Sequence, residues 1–376
     1  MKNNKKIMIT CLIVIFFWNM TNTYANTNDI NVSNFLTQIK EYQSDFIPEL
    51  SQKNLLENIT SGNWIKEKSL VERISQVFTS EIKSSIRIIF SVIGVSLICG
   101  ILKNMQSSFG GTVSEVAFYV CYLFVVILII STYTEIVEIC QNTVNHLSSF
   151  MNLLIPIILT LMVANGSIST VGMLQPILLL MVSVINVIVS KIILPVLLIS
   201  TMIGLISHVS ENIDISKLPK FLQKTCMWGL ELMIVIFVGV LSLEGTLASN
   251  VDGITVKGTK TVVSTIIPVV GKAISDATDS ILGAASITKN AIGVLGVLVM
   301  AGIALGPLIK VLVMMMIFNL GSALMEPIVD KRITNCMTEI GNSIKMVLAV
   351  LASVSFLFIV ATTLMIKMGN FTLMYR

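Results

Sequence analysis

A lysine and two aspartates stand at helical spacing inside a strongly apolar chain. Lys272, Asp276 and Asp279 are separated by four and three residues, so one face of a helix carries all three charges. Paired aspartates could serve an intramembrane protease, but a three-residue spacing beside a lysine favours an ion-paired polar face. Such a helix could line a water-filled path, or it could lie at the membrane surface with a solvated polar face. Both roles stay open at this stage.

The chain contains no motif that would turn these charges into an enzyme site. There is no Walker A loop, no HExxH and no GxSxG. Six cysteines and two histidines form neither a CxxC nor a Cys/His cluster, so a zinc site and a disulfide framework are not supported. We therefore expect a protein that is not an enzyme and that needs no cofactor.

Composition places the chain among polytopic membrane proteins. Of its 376 residues, 54% are hydrophobic and only 12% are charged, whereas a soluble domain has about 25% charged residues. The mean hydropathy is +0.88. The small net charge of +4 does not favour a nucleic-acid partner. We expect an all-α transmembrane bundle of about eight to ten spans.

The first 85 residues predict an export signal followed by a polar block. Residues 1–25 combine a lysine-rich start, the apolar run "IMITCLIVIFFW" and a "TYA" cleavage-like site, which together predict a signal peptide; an uncleaved anchor is the alternative. Residues 26–85 carry two amphipathic helical patterns and predict a small extracytoplasmic helical region. The second pattern continues without a breaker into the first apolar run.

Apolar runs fill the remainder of the chain. Residues 86–149 hold the first two spans and an outer loop, whereas residues 150–164 form a run that would be only about 22 Å long as a helix. Ten spans are preferred over eight, because the basic loops near 217–224 and 331–332 are then cytoplasmic. The runs are 86–102, 116–133, 150–164, 171–190, 192–209, 227–248, 291–306, 307–325 and 346–366, with the stretch around 266–285 completing the ten.

Proline spacing predicts an internal repeat. Pro156 and Pro195 are 39 residues apart, and Pro268 and Pro307 have the same separation. The offset between the two pairs predicts membrane repeat units at 150–250 and 251–376. The charged stretch would then be the second copy of a short hairpin around Pro156.

A few polar residues inside the apolar runs are candidates for a polar path or an interface. Glu231 and Glu244 are expected near opposite ends of one span, and Lys310, like Lys191, is expected at a turn between paired spans. Gly302 and Gly306 form a GxxxG pattern, which is a candidate for close helix packing.

Several longer stretches resemble the stage III sporulation protein AE family of endospore-forming bacteria. The most specific is "SNVDGITVKGTKTVVSTIIPVVGKAISDATDSILGAASITKNAIGVLG" at 249–296, and "SSFMNLLIPIILTLM", "LMEPIVDKRI", "KNMQSSFG" and "VAFYVCYLF" are also similar. The resemblance runs in order along nearly the whole chain, with a looser match over 26–85.

The resemblance implies a sporulation function. It suggests a multi-pass protein in the mother-cell membrane that surrounds the forespore, working with the other proteins of the stage III sporulation A operon and a forespore membrane partner. That assembly is expected to form a channel or feeding apparatus that late forespore gene expression and development require. The family supplies no catalytic residues to carry over.

Two other functions are compatible with the sequence. The chain could be a permease that acts alone, with its site at the interface between the repeats. It could also be a purely structural scaffold that recruits other members of an assembly.

Overall fold

In a computed structural model, the described residues are 67–104, 111–207, 217–266 and 270–374, and they belong to one unit of the chain. Every regular element among them is helical, which confirms the all-α prediction. The helices are α1 Glu67–Asn104, α2 Gly111–Ala164, α3 Ile168–Val187, α4 Leu194–Ser207, α5 Lys217–Ile266, α6 Val270–Met325 and α7 Lys331–Met374. A π-helical segment, Ile188–Ile193, joins α3 to α4.

Six helical segments of the described chain are long and apolar enough to cross a membrane, fewer than the eight to ten separate spans expected. The difference arises because neighbouring apolar runs are fused. In α2 the apolar segment Val116–Ala164 has 49 residues. That is about 74 Å of helix against a hydrocarbon core of about 30 Å. The six segments are Glu72–Ile101, Val116–Ala164, Ile168–Ser207, Lys217–Leu243, Leu282–Met325 and Lys331–Met368.

The predicted breaks inside three of these helices are wrong. Helix α2 continues through Pro156, so residues 150–164 are the end of a long helix and not a separate short hairpin. Helix α6 likewise continues through Pro307, which places Lys310 inside the helix and not at a turn. Lys191 lies in the π-helical segment of a continuous helical rod. Packed neighbours allow a bundle helix to tolerate proline, which would end an isolated helix.

Helix α7 is the central helix of the bundle. It packs against α6, α5, α2 and α4, and half of its apolar segment is buried. Its most buried side chains alternate at spacings of four and three, which is the 3.5-residue period of a coiled-coil seam. This fully or almost fully buried stripe comprises Ile333, Met337, Ile340, Ile344, Val347, Leu351, Val354, Phe358, Ala361 and Met365.

Contacts between α2 and α6 show that the two helices are antiparallel. Glu135 of α2 contacts Lys310 of α6, and nineteen residues later Leu154 packs over Gly296, fourteen residues earlier in α6. The two long helices therefore lie side by side over several turns. Side chains of both helices pack together along this length. A local shift of one helix against the other is therefore limited by the packing in the adjacent turns.

Helices α5 and α7 run parallel and begin at the same end of the bundle. Gln223 donates a hydrogen bond to Ser343 at 3.5 Å, and Pro219 and Glu339 both lie against Gly204 of α4. The two basic segments expected in loops thus lie at one end, and their residues occupy the first turns of the helices. These residues are Lys217, Lys220, Lys224, Lys331 and Arg332.

The outer surface of the described helices is strongly apolar. Large side chains such as Phe90, Phe124, Val235 and Phe356 are 60–71% exposed, as lipid-facing residues of a membrane protein are. This surface and the six apolar helical segments are features of a multi-pass membrane protein. The outward-facing apolar area needs a bilayer or protein partners to cover it.

The structure leaves four sequence predictions wholly or partly untested. The signal peptide at 1–25 and residues 26–66 of the N-terminal region lie outside the described residues. From Glu67 onward, the second amphipathic pattern and the first span form one helix, α1. The internal repeat and the side of the membrane at which each end lies stay predictions.

Candidate functional site

The three charges predicted to share one helical face lie on the first turns of α6. Lys272, Asp276 and Asp279 follow Val270 in an unbroken helix, so their helical spacing holds. Glu244 lies on α5. The side-chain surroundings of these four residues fall outside the described part of the chain. Their assignment to a polar path or an interface therefore stays a prediction.

The described candidates Glu231 and Lys310 occupy different surroundings from those expected. The apolar segment of α5 runs from Lys217 to Leu243, which places Glu231 at its middle and not near an end. Its side chain is exposed on the surface of the chain. Lys310 donates to a carboxylate oxygen of Glu135 at 3.3 Å, and this ion pair links α6 to α2.

Close helix packing occurs at two glycines that precede the predicted GxxxG pair. Gly302 is buried and Gly306 half-buried on α6. At Gly296, a Cβ atom would lie 2.5 Å from Leu154, and at Gly293 it would collide with Ile366 of α7. The absence of a side chain is thus needed at positions 293 and 296, where α6 meets α2 and α7.

A fully buried lysine, Lys289, was not among the residues predicted from the sequence. Lys289 of α6 has no exposed surface, and its Nζ donates a hydrogen bond to the carbonyl oxygen of Ile366 at 2.9 Å. A carbonyl dipole offsets some of the cost of removing an ammonium group from water. Ionisable residues buried within membrane helices are candidates for functional positions by default.

A sequence signal for this site existed in the polar face that begins at Lys272. At steps of seven, position 272 leads to Asp279 and then to Ser286, which is buried on α6. Asn290 follows on the same helix, and its Oδ1 is buried with no hydrogen-bond partner among the described residues. The polar pattern thus continues into the bundle. Whether it faces the core or the solvent depends on the neighbouring helices, which the pattern does not identify.

A second polar cluster surrounds the π-helical segment. The N–H of Leu194 bonds to the carbonyl of Val189, and the next residue, Pro195, has no N–H to offer the carbonyl of Ser190. That carbonyl instead accepts a hydrogen bond from Gln141 Nε2 at 3.1 Å. The cluster therefore satisfies a backbone group that the helix leaves without its usual donor.

The hydroxyl of Ser190 completes this cluster. It donates toward Asn186 Oδ1 at 3.1 Å and lies 3.4 Å from Asn145 Oδ1. In the sequence, Asn186 lies within the apolar run 171–190, whereas Gln141 and Asn145 lie between two apolar runs. The π-helical segment thereby directs Ser190 inward while the adjacent Lys191 remains exposed.

Replacing Gln141 should destabilise the protein more than replacing its neighbour. In Gln141→Leu the Ser190 carbonyl loses its donor inside the membrane region, which should lower the free energy of unfolding by about 1–3 kcal/mol. Asn142 is exposed on the same turn of α2, so Asn142→Leu is the matched control and should change stability little. Denaturation of the purified variants in detergent measures both. Equal stability of the two variants would show that the carbonyl finds another donor.

A third polar contact lies at the end of the bundle where α7 begins. Arg332 donates to the hydroxyl of Tyr119 at 3.3 Å and lies 5.9 Å from the centre of its ring. One turn further, the hydroxyl of Tyr122 and the thiol of Cys336 are 2.9 Å apart and buried. These contacts fix the register of α2 against α7.

Polar contacts thus occur at successive levels of an otherwise apolar bundle. Along α2 they involve Tyr119, then Glu135, then Gln141. Buried lysine, amide and hydroxyl groups of this kind can specify which helices pack together, and can bind ions or polar groups of a partner. These contacts are therefore suited to fixing how the helices of a membrane protein pack against one another.

Comparison with known proteins assigns a family. The sequence profile of the stage III sporulation protein AE family matches residues 50–369. A protein of Bacillus subtilis (strain 168), "Stage III sporulation protein AE", is 27% identical over 355 residues, which cover 94% of this chain and 89% of the relative. No solved structure matches.

Proposed function

The chain belongs to the stage III sporulation protein AE family, and on this premise we propose that it is a non-enzymatic membrane subunit of a channel assembly linking mother cell and forespore. The observation that carries the proposal is the family match over most of the chain, together with the six long apolar helical segments of its described part. A sporulation protein built almost entirely of membrane helices is suited to connect compartments that membranes separate.

The proposed location is the mother-cell membrane that surrounds the forespore. The proposed partners are the other proteins of the stage III sporulation A operon and a protein of the forespore membrane. In this role the subunit supports late forespore gene expression and development. The apolar outer surface and the polar contacts inside the bundle fit a subunit that packs against other membrane proteins.

Removal of the gene tests the developmental role. In the native spore-former, the deletion is expected to stop sporulation after engulfment and to reduce a late forespore-specific reporter, while an early forespore reporter stays normal. A fluorescent fusion that restores sporulation should encircle the forespore. Normal late reporter activity in the deletion strain would refute the proposal.

Thiol labelling tests whether the first turns of α6 line an aqueous path. In a chain without its native cysteines, single cysteines are placed at 270–283 and exposed to a membrane-impermeant reagent in sporulating cells. A channel predicts labelling at 272, 276 and 279 with protection at 274, 277 and 281. Uniform labelling would instead indicate a surface element, and the charges would then be a solvated face.

Three measurements separate the alternatives: solute uptake by vesicles, the location of other assembly members in the deletion strain, and labelling along α6. A permease that acts alone predicts solute uptake by vesicles that contain only this chain. A scaffold predicts that other members of the assembly lose their location in the deletion strain. It also predicts that thiol labelling detects no aqueous path along α6. The channel proposal predicts labelling along α6, a block in development and no uptake by the isolated chain.

A further inference from the structure

Two charged side chains project from apolar segments of the bundle. Lys191 lies in the π-helical segment within Ile168–Ser207, and Glu231 lies at the middle of Lys217–Leu243. Both side chains are exposed. Within the described part of the chain, neither has a hydrogen bond or an ion pair. Each therefore presents a charge on a surface that otherwise suits lipid.

The two charges lie at nearly the same level. Ser200 of α4, near the end of the rod that α3 and α4 form, donates to the carbonyl of Pro219, at the start of α5, at 2.8 Å. Because α3 and α4 both pack along α5, the two helical rods are antiparallel. Lys191 is nine residues before Ser200, and the residue nine after Pro219 is Trp228. Glu231 is three residues further, about 4.5 Å along the helix axis.

Lipid is a poor environment for these groups. A lysine can extend its long stem toward the headgroups, but the glutamate side chain is short and lies at the centre of its apolar segment. A protein partner that offers a cation at the same level would remove the cost. Lys191 is an exposed cation at that level, so a second copy of this chain can supply the required partner.

We propose that copies of this chain associate side by side in the membrane, with Lys191 of one copy paired to Glu231 of the next. A membrane holds all copies in one orientation and at one depth, so groups at equal levels can meet between neighbours. The contact joins two different surfaces and can be repeated from copy to copy into a ring. Trp228 and Ile192, 63% and 53% exposed, would supply apolar contacts beside the pair. This association goes beyond the proposed channel role and does not depend on it.

Charge reversal tests the pairing. Two differently tagged copies are expressed together, and their copurification from membranes is measured. Lys191→Glu and Glu231→Lys, each alone, place like charges at the contact and should lower copurification at least about tenfold. Lys220→Glu, at an exposed site in the first turns of α5, is the control and should retain it.

Mixing the variants distinguishes pairing between copies from pairing within one chain. A Lys191→Glu copy with a Glu231→Lys copy restores opposite charges at every contact, so copurification should return; the double variant should also associate. Mixing cannot repair chains that fail to fold, so recovery would exclude a folding defect. Recovery in the double variant alone would indicate pairing within a chain. That result, unaffected single variants, or no recovery in either case would each overturn the proposal.

Discussion

Gly296→Val is expected to lower the free energy of unfolding by about 1–3 kcal/mol or more, because it forces extra atoms into a closed contact. A Cβ at this position would lie 2.5 Å and 3.0 Å from the two methyl groups of Leu154. Leu154 is itself fully buried on α2, so it cannot rotate into open space. The helices α2 and α6 would have to separate.

A matched control and a compensating change make this prediction specific. Gly239 of α5 is exposed, and a Cβ there would meet no atom of the described residues within 4 Å, so Gly239→Val should be tolerated. Adding Leu154→Ala to Gly296→Val should recover part of the loss, because it frees the space that valine needs. Denaturation in detergent measures all four proteins. A Gly296→Val protein as stable as Gly239→Val would contradict the close contact of α2 and α6 at this position.

Lys289→Ala is expected to destabilise the protein by about 2–5 kcal/mol, the range for truncation of a long buried side chain. Lys289 has no exposed surface, so removal of its stem leaves a cavity between α6 and α7. The hydrogen bond to the Ile366 carbonyl is lost as well. Because α7 is the central helix, a cavity here weakens the most extensive packing of the bundle.

Lys289→Met separates packing from charge. Methionine fills most of the space of the lysine stem and adapts to irregular gaps, so it should recover most of the stability lost in Lys289→Ala. Lys345→Ala, at an exposed position of α7, is the surface control and should have little effect. If methionine is as destabilising as alanine, the contacts of the ammonium group, and not the stem, hold this site together.

Composition and spacing were sufficient to predict the class of structure. A 54% hydrophobic chain cannot satisfy its backbone in a membrane except as helices or a closed barrel, and its long apolar runs favour helices. The helical spacing of Lys272, Asp276 and Asp279 and the family resemblance were read from local residue order. Such features depend on residues that are near one another in the chain.

The number of helices could not be read in the same way. Pro156, Lys191 and Pro307 each signalled a break, because proline and charge are unfavourable inside an isolated apolar helix. In the structure each lies within a continuous helical rod. At Pro195 the compensation is visible, since Gln141 from another helix bonds to the carbonyl of Ser190. That donor is 49 residues away and carries no local signal.

The sequence by itself determined a helical membrane protein of a sporulation family, with charges placed at defined positions along its helices. Tertiary structure decided which of those charges are buried. Lys289 is enclosed because α7 brings the Ile366 carbonyl to it, whereas Glu231 remains on the surface because α5 turns a different face to the bundle. The spacing of polar and apolar residues in the sequence predicts only how side chains are arranged around one helix. Packing between helices that are far apart in sequence decides which face of each helix points into the bundle. That packing therefore determines which residues are buried, which charges pair and which surfaces remain for partners.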